Sequence, residues 1–102
     1  MKILDSNNFN EEIAKGTVVV DFYAEWCPPC KMLGPIIEEL AKDYEGRASV
    51  CKLNTDDSSE LAKQYGVMSI PTVIIFKDGE AKESINGFKP KQELVKAIDR
   101  NL

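Results

Sequence analysis

The chain has 102 residues, of which 43% are hydrophobic, as expected for one globular domain over residues 1–102 that buries a core of its own. The 17 acidic residues outnumber the 13 basic ones, giving a formal net charge of −4, and Lys and Arg form no cluster, so we expect no nucleic-acid partner. The N-terminus has no apolar signal segment, and no stretch reaches the roughly 18 apolar residues of a membrane span. We therefore expect a soluble, cytoplasmic protein without a membrane partner.

The first predicted elements are a strand, a short helix and a second strand. Ile3 and Leu4 suggest a short edge strand. Asn8, with Glu11 three residues later, has the spacing of a capping box and predicts a short helix. Residues Thr17 to Tyr23 form a continuous apolar, β-branched run of the kind found in strands that are covered on both faces. We therefore expect this run to be the central strand.

A long helix is predicted in the middle of the chain. From Pro28 to about Tyr44, apolar residues recur at helical spacing while charged residues occupy the other face. Pro35 falls inside this helix, where it must remove a hydrogen bond and bend the helix axis. A third strand is predicted over Ala48 to Asn54. The segment Asp57 to Glu60 is a capping signal for another short helix, which ends at Gly66.

The last part of the chain predicts a hairpin followed by a closing helix. Thr72 to Phe76 is apolar throughout, Asp78-Gly79 is a hairpin-turn dipeptide, and Glu80 to Asn86 shows polar alternation, so we expect an antiparallel pair. Pro90 fits the first position of the closing helix. The apolar residues that we expect this helix to bury are Leu94, Ala97, Ile98 and Leu102. A strand–helix–strand unit with a right-handed crossover therefore precedes the antiparallel pair.

The stretch Trp26-Cys27-Pro28-Pro29-Cys30 follows the predicted central strand directly and opens the long helix. Two cysteines three residues apart in the first turn share one helix face, with Cα atoms about 5 Å apart, a separation that a disulfide can span. If Cys27 is the N-cap residue, its sulfur faces unpaired N–H groups and the positive end of the helix dipole, which favours the thiolate. Pro28 and Pro29 then fill the first two helical positions, so the Cys30 amide is the first free donor to that sulfur. We interpret Cys27 as a nucleophile and Cys30 as the thiol that resolves its mixed disulfide.

Zinc binding and a static disulfide are the alternative uses of these cysteines. A tetrahedral zinc site needs four ligands, whereas the chain has no His and only one further cysteine, Cys51, so we expect no metal. A static disulfide would add little stability, because closing so short a loop constrains the unfolded chain little. The odd cysteine count fits a reducing compartment with one catalytic pair. Cys51 is interpreted as a small core residue, since its side chain should point away from that of its neighbour Lys52.

The order of these motifs resembles the thioredoxin family over nearly the whole chain, from about Val18 through Leu94. The residues that carry the resemblance are Asp21-Phe22-Tyr23-Ala24-Glu25-Trp26-Cys27-Pro28-Pro29-Cys30-Lys31-Met32, Pro35, Lys52-Leu53-Asn54, Ser69-Ile70-Pro71-Thr72, Gly79 and Gly87. The resemblance implies an α/β thioredoxin fold, with a central mixed β-sheet flanked by α-helices. It also implies a monomer whose Cys27–Cys30 dithiol reduces protein disulfides, needs no other cofactor and is recharged by a thioredoxin reductase.

Several further residues acquire roles from the resemblance. Asp21 interrupts an apolar run, and burial would raise its pKa, which suits proton transfer to or from Cys30; the alternative is an Asp at a solvated strand end. Lys52 would be the partner whose positive charge offsets the burial of Asp21 and adjusts its pKa, although by sequence alone Lys52 is an exposed strand residue. The resemblance implies a cis bond before Pro71, where a trans bond is the ordinary expectation. The Ile70 backbone would then be free to pair with an extended substrate.

The same resemblance predicts an apolar, nearly flat contact surface around the Cys27 sulfur. Its residues would be Trp26, Pro28, Pro29, Ile70, Pro71, Gly87 and Phe88. The family usually has Gly at the position of Pro28, often Gly at Ser69 and a small residue at Phe88, so a shifted redox potential and a narrower substrate preference are expected. Two other interpretations stay open. One is a disulfide oxidase or isomerase of the same fold, whose inner dipeptide usually holds a His that is absent here, and the other is a non-catalytic binding module.

Overall fold

The structure is a computed structural model that describes residues 1–102 and contains five strands and four helices. In chain order they are β1 (Lys2–Leu4), α1 (Phe9–Ile13), β2 (Thr17–Tyr23), α2 (Pro28–Asp43), β3 (Ser49–Asn54), α3 (Ser59–Gln64), β4 (Thr72–Lys77), β5 (Glu80–Asn86) and α4 (Lys91–Arg100). The elements follow one another as the sequence predicts. None of the four helices has the length and apolar character that crossing a bilayer requires.

The five strands form one mixed sheet in the order β1-β3-β2-β4-β5. β2 pairs in parallel with β3 and antiparallel with β4, so the predicted central strand is confirmed. β4 and β5 pair antiparallel on either side of Asp78 and Gly79, whose φ angles are 50° and 88°. A two-residue hairpin loop of this kind needs positive φ at both central positions, which Asp and Gly adopt more readily than most residues.

Each face of the sheet is covered by two helices, because the central strands carry apolar side chains on both faces. On one face, Val20 and Phe22 pack with Phe9 of α1 and with α3. On the other face, Val19 packs with Leu33 of α2 and with α4. The mixed sheet flanked by helices, which the resemblance implies, is confirmed. Alternation along β2 therefore directs Asp21, two residues after Val19, towards the face that α2 covers.

The two short helices begin where the capping signals predict, with Asn8 and Ser58 at the N-cap positions, but the expected capping bonds are absent. The Asn8 side chain makes no capping bond to α1; its Oδ1 instead accepts a hydrogen bond of 2.8 Å from the Asp5 N–H. Ser58 also makes no side-chain capping bond, and the loop before α3 is held by Asn54, whose Oδ1 accepts from the N–H of Asp56 at 2.8 Å. Asn and Asp side chains can bond to backbone groups on either side, so the same residues also stabilise turns.

The closing helix also differs from the prediction. α4 begins at Lys91, and Pro90 stands at its N-cap position with extended backbone angles instead of being the first helical residue. The helix ends at Arg100, and the Leu102 side chain beyond it is 47% exposed. Leu102 was expected to be buried because it continues the helical spacing of the apolar residues. The spacing does not reveal that the helix stops two residues earlier.

Replacing Ile37 with Ala should lower the free energy of unfolding by about 2 to 5 kcal/mol, because the side chain is fully buried between α2 and the sheet and its loss leaves a cavity. Met32→Ala is the matched control on the same helix, since Met32 is 62% exposed and its truncation should change stability by less than about 0.5 kcal/mol. Urea unfolding of both variants measures the difference. Equal losses would contradict the assignment of Ile37 to the core.

Candidate active site

The first turn of α2 places the Cys27 sulfur at the amino end of the helix. Cys27 is the N-cap residue, with extended backbone angles, and Pro28 and Pro29 occupy the first two helical positions. The Cys30 N–H donates to Cys27 Sγ at 3.3 Å. The two prolines have no N–H, so Cys30 supplies the first backbone donor that can reach the sulfur. The predicted capping geometry is therefore confirmed.

Cys27 and Cys30 are bonded as a disulfide with their Cα atoms 5.2 Å apart, within the usual range for such a bond. Their side chains pack with Ala24 at the start of the loop that follows β2, and only 3% of Cys27 and 5% of Cys30 is exposed. Cys27 Sγ lies 3.8 Å from the carbonyl oxygen of Ile70. The pair is thus shielded by the protein on most sides, and its surroundings control which sulfur a partner can reach.

Asp21 is fully buried in β2, and neither of its carboxyl oxygens has a hydrogen-bond partner within the protein. Burial raises the pKa of this carboxyl from 3.8 to about 7, while the charge of Lys52 acts in the opposite direction. The alternative of a solvated Asp at a strand end is excluded. Near neutral pH, both the acid and the carboxylate are populated, which is the condition for a proton acceptor and donor.

Lys52 lies on β3 directly beside Asp21, because the two residues are partners in the parallel register of β2 and β3. The Lys52 side chain is only partly exposed, whereas the sequence alone suggested an exposed residue. Lys52, Cys30 and Pro35 line a cavity of about 300 Å³ next to the disulfide. The topology therefore brings the cation, the buried acid and the inner cysteine to one end of the sheet.

Most residues of the expected contact surface around the disulfide are exposed or half-buried. Trp26 is 66% exposed, and its Nε1–H donates to Asp56 Oδ2 at 2.9 Å, which fixes the indole beside the cysteines. Pro28, Pro29 and Phe88 are also exposed, and Ile70 and Gly87 are half-buried. The Ile70–Pro71 peptide bond is cis, as the resemblance implies. Pro71 itself is buried, which corrects its place on the exposed surface; its carbonyl accepts from the Gly87 N–H at 2.7 Å.

Two residues near the site were missed by the sequence analysis. Met68 is 97% exposed and lines a groove with Trp26 and Ile70. A methionine in the loop between Gly66 and Pro71, outside any helical or strand periodicity, was the signal that could have identified it. Tyr23 belongs to the central strand and to the residues that carry the resemblance, but the sequence gives it no role in the site, and its ring contacts the Lys52 side chain. No local pattern in the sequence reports that contact, because it joins two strands.

Cys51 lies away from the disulfide. It is 1% exposed in the apolar cluster on the α1 side of the sheet, so its interpretation as a core residue is confirmed. Burial raises the pKa of its thiol to about 11, and the neighbouring Glu12 carboxylate acts in the same direction. A cavity of about 460 Å³ lies where the beginning of β3 meets α2, and Met1 and Cys51 are among the residues that line it. No group of three or more Cys, Asp or Glu side chains is placed to hold a metal ion.

A cysteine pair at the start of a helix that follows the central strand of a mixed sheet defines a dithiol–disulfide oxidoreductase. A profile of the family described as Thioredoxin matches residues 1–100. The chain belongs to the thioredoxin family.

Relatives and a solved structure agree with this assignment. The chain is 49% identical to a thioredoxin of Staphylococcus haemolyticus and 46% identical to one of Staphylococcus aureus, in each case over 100% of this chain and 97% of the relative. A mutant thioredoxin from Halobacterium salinarum superposes with a TM-score of 0.92 at 33% identity, over 98% of this chain and 88% of that one. The chain is therefore a protein-disulfide oxidoreductase that acts by thiol–disulfide exchange through Cys27 and Cys30.

The pKa of Asp21 predicts that this residue lowers stability as the pH rises. Below pH 3.8 the Asp21 carboxyl is neutral in both the folded and the unfolded chain. Between pH 3.8 and about 7 it ionises only in the unfolded chain, so the free energy of unfolding falls as the pH rises. Above about pH 7 it is ionised in both states, and the loss of unfolding free energy stays constant. The pKa difference corresponds to about 4 kcal/mol. Urea unfolding of the oxidised protein from pH 4 to 9 should show this loss in the wild type and not in Asp21→Asn.

The exposed Asp57 supplies the control, since Asp57→Asn should keep the pH dependence of the wild type. Because Asp21→Asn also buries an amide, the quantity to compare is the slope of the unfolding free energy with pH, not its absolute value. Parallel slopes for the wild type and Asp21→Asn would show that the Asp21 carboxyl ionises in the folded protein as readily as it does in water.

Proposed function

We propose that the chain is a general protein-disulfide reductase whose nucleophile is Cys27 and whose resolving thiol is Cys30. The observation that carries this proposal is the position of Cys27 Sγ, which accepts the Cys30 N–H at the amino end of the 16-residue helix α2. Negative charge on Cys27 is favoured there by that hydrogen bond and by the helix dipole. Cys30 Sγ, one turn further along, accepts no such hydrogen bond, and burial does not distinguish the two cysteines because both are almost fully buried.

The reaction then proceeds in two exchanges. The Cys27 thiolate attacks one sulfur of a substrate disulfide, a mixed disulfide forms, and the first substrate thiolate leaves. The Cys30 thiol next loses its proton and attacks Cys27 Sγ, which forms the Cys27–Cys30 disulfide and releases the second substrate thiolate. Two electrons pass to the substrate, and two protons, one from Cys30, complete its two thiols. The distance of 5.2 Å between the Cα atoms lets the second bond form without unfolding of the helix.

Asp21 is proposed as the group that accepts the Cys30 proton, directly or through water. It is the buried acid on the α2 side of the sheet, and its pKa of about 7 leaves it partly ionised at neutral pH. Lys52, its neighbour on β3, stabilises the carboxylate that would otherwise be disfavoured by burial. In the reverse reaction, the protonated Asp21 returns a proton to Cys30 as that thiolate leaves.

Protein substrates are proposed to dock on the apolar surface around Cys27. The N–H and C=O groups of Ile70 take part in no backbone hydrogen bond, so an extended substrate segment can pair with them next to the sulfur. Trp26 and Phe88 supply exposed aromatic area, and Pro28 and Pro29 extend it without charge. A surface that selects by apolar contact and by backbone pairing accepts many sequences.

The oxidised pair has to be reduced again in every cycle, and a thioredoxin reductase is the proposed donor of the two electrons. No further cofactor is needed, because the two sulfurs hold both electrons of the reduced form. The proposed setting is a monomer in a reducing compartment such as the cytoplasm. There, the raised pKa of the Cys51 thiol keeps it mostly protonated and poorly nucleophilic.

Thiol labelling should identify Cys27 as the reactive group in the reduced protein. Iodoacetamide at pH 7 should modify Cys27 well before Cys30 or Cys51, because the thiolate is the reactive form and only Cys27 has a donor at a helix end. Cys30→Ser should accumulate a mixed disulfide with disulfide-containing protein substrates such as insulin, because the resolving thiol is missing. Peptide mass mapping after a timed quench measures both results.

The matched control is Cys51→Ala, which removes a buried thiol outside the site and should keep insulin reduction by dithiothreitol or by a thioredoxin reductase near the wild-type rate. Equal, slow labelling of Cys27 and Cys30 would contradict the assignment of the nucleophile. Full biological activity of Cys27→Ser would instead favour a non-catalytic binding module.

The contact surface predicts a difference between large and small substrates. Phe88→Glu should lower kcat/KM for insulin by roughly tenfold, because loss of one apolar contact costs on the order of 1.4 kcal/mol, and should leave reduction of a small aromatic disulfide nearly unchanged. Leu102→Glu is the control, since Leu102 is comparably exposed at the C-terminus. Equal effects of Phe88→Glu on both substrates would contradict a docking role for Phe88.

A further inference from the structure

We propose that Tyr23 is a positioning residue for the proton-transfer step, because its ring holds the Lys52 ammonium group beside the buried Asp21. The proposal rests on the proposed function, in which Asp21 exchanges a proton with Cys30. It assigns a task to the last residue of the central strand, directly before the loop that leads to Cys27. Tyr23 would act through Lys52 and Asp21, without touching the reacting sulfurs itself.

The contact between Tyr23 and Lys52 carries the proposal. Lys52 Nζ lies 4.3 Å from the centroid of the Tyr23 ring, within the distance at which an aromatic face attracts a cation. None of the five ion pairs in the protein includes Lys52. The lysine ammonium groups that donate hydrogen bonds to other protein groups are those of Lys2, Lys77, Lys82 and Lys91, and not that of Lys52. The Tyr23 ring is therefore the group that locates the ammonium.

The register of the strands explains why this contact matters for Asp21. Asp21 and Lys52 are partners across β2 and β3, and Tyr23 follows Asp21 by two residues, so all three side chains emerge on the same face of the sheet. Lys52 has a flexible four-carbon stem and could direct its charge in several ways. With its ammonium held on the Tyr23 ring, the charge stays at the strand pair that contains Asp21.

Other charged groups near Lys52 would compete for the ammonium if the ring were absent. The cavity that Lys52 lines is also lined by Glu25, from the loop after β2, and by Glu38 and Lys31 of α2. Asp57, after β3, is also close enough for its charge to raise the pKa of Tyr23. An ion pair of Lys52 with Glu25 or Glu38 would offset its positive charge and draw it away from Asp21.

A neutral aromatic ring suits this task better than a carboxylate. Burial raises the pKa of the Tyr23 phenol above its ordinary value, so the ring stays uncharged at neutral pH. A carboxylate at this position would also attract Lys52, but its own charge would oppose ionisation of Asp21. The ring fixes the position of the cation and leaves its charge available to the buried acid.

The test is a double-mutant cycle read by the pKa of Asp21, measured by carbon-13 NMR titration of its carboxyl in the disulfide form. Tyr23→Leu removes the ring, Tyr23→Phe keeps it and is the matched control, and Lys52→Met removes the cation. We expect Tyr23→Leu to raise the pKa of Asp21, by less than Lys52→Met does, and Tyr23→Phe to leave it near the wild-type value. In the Lys52→Met background, Tyr23→Leu should produce no further rise.

Two results would overturn the proposal. One is an unchanged Asp21 pKa in Tyr23→Leu. The other is the same rise with and without Lys52, which would mean that the ring does not act on Asp21 through the cation. Tyr23→Met serves as a second ring-free variant if Tyr23→Leu does not fold, and urea unfolding establishes that each variant is native at the start of the titration.

A separate measurement distinguishes failure of this inference from failure of the proposed function. Stopped-flow decay of a preformed mixed disulfide on Cys27, from pH 5 to 9, reports the step in which Cys30 attacks. Asp21→Asn should slow this step by on the order of 100-fold near neutral pH if Asp21 accepts the proton. An unaffected step would contradict the role of Asp21, whereas a slowed step with no effect of Tyr23 on the Asp21 pKa would contradict only the positioning role.

Discussion

The hydrogen bond from the Cys30 N–H to the Cys27 sulfur is the interaction on which the chemistry of this chain depends. It exists because Cys27 ends the loop after β2 in an extended conformation and α2 begins at the next residue. Two prolines then remove the N–H groups that would otherwise start the helix, and they lock φ at values that suit it. The sulfur thus receives its donor from the residue whose thiol attacks it in the proposed reaction. In that reaction, one helical turn would both stabilise the nucleophile and supply the thiol that resolves its mixed disulfide.

The central strand β2 connects this turn to the core and also carries the site's buried acid. Val19 and Phe22 anchor the strand in the two apolar clusters, so β2 cannot shift without exposing them. This rigidity permits Asp21 to stay buried although neither of its oxygens has a protein partner. A buried, unsatisfied carboxyl lowers stability at neutral pH. A buried acid with a shifted pKa, in a strand that is otherwise apolar, supports the proposed role of Asp21 in proton transfer.

Most of the fold could be predicted from the sequence because its signals are local. The apolar run Thr17–Tyr23 and the helical spacing after Pro28 each reflect burial of a continuous face, and both elements are found where they were expected. The errors occur where several local structures compete for one side chain, as at Asn8, or where periodicity continues beyond the end of a helix, as at Leu102.

The same difference between local and non-local signals decides which features of the site could be predicted. The capping of Cys27 followed from spacing within one helical turn, and burial of Asp21 became an expectation only through the family resemblance. The contact between Tyr23 and Lys52 lies between β2 and β3, whose sequences are separated by α2, so no local pattern reports it. Side-chain exposure in loops is equally non-local, and for that reason Met68 was missed and Pro71 was placed on the surface.

In the proposed reaction, the reduced site holds two negative charges, one on Cys27 and one on Asp21, and both residues are buried. At low effective dielectric these charges repel each other, and each would tend to be protonated. A different group stabilises each charge: the amino end of α2 lies at the Cys27 sulfur, and the Lys52 cation lies beside Asp21. Because the helix dipole is fixed by the backbone and Lys52 is a flexible side chain, the second compensation is the one that needs a positioning group. The ring of Tyr23 is the group that the fold places there.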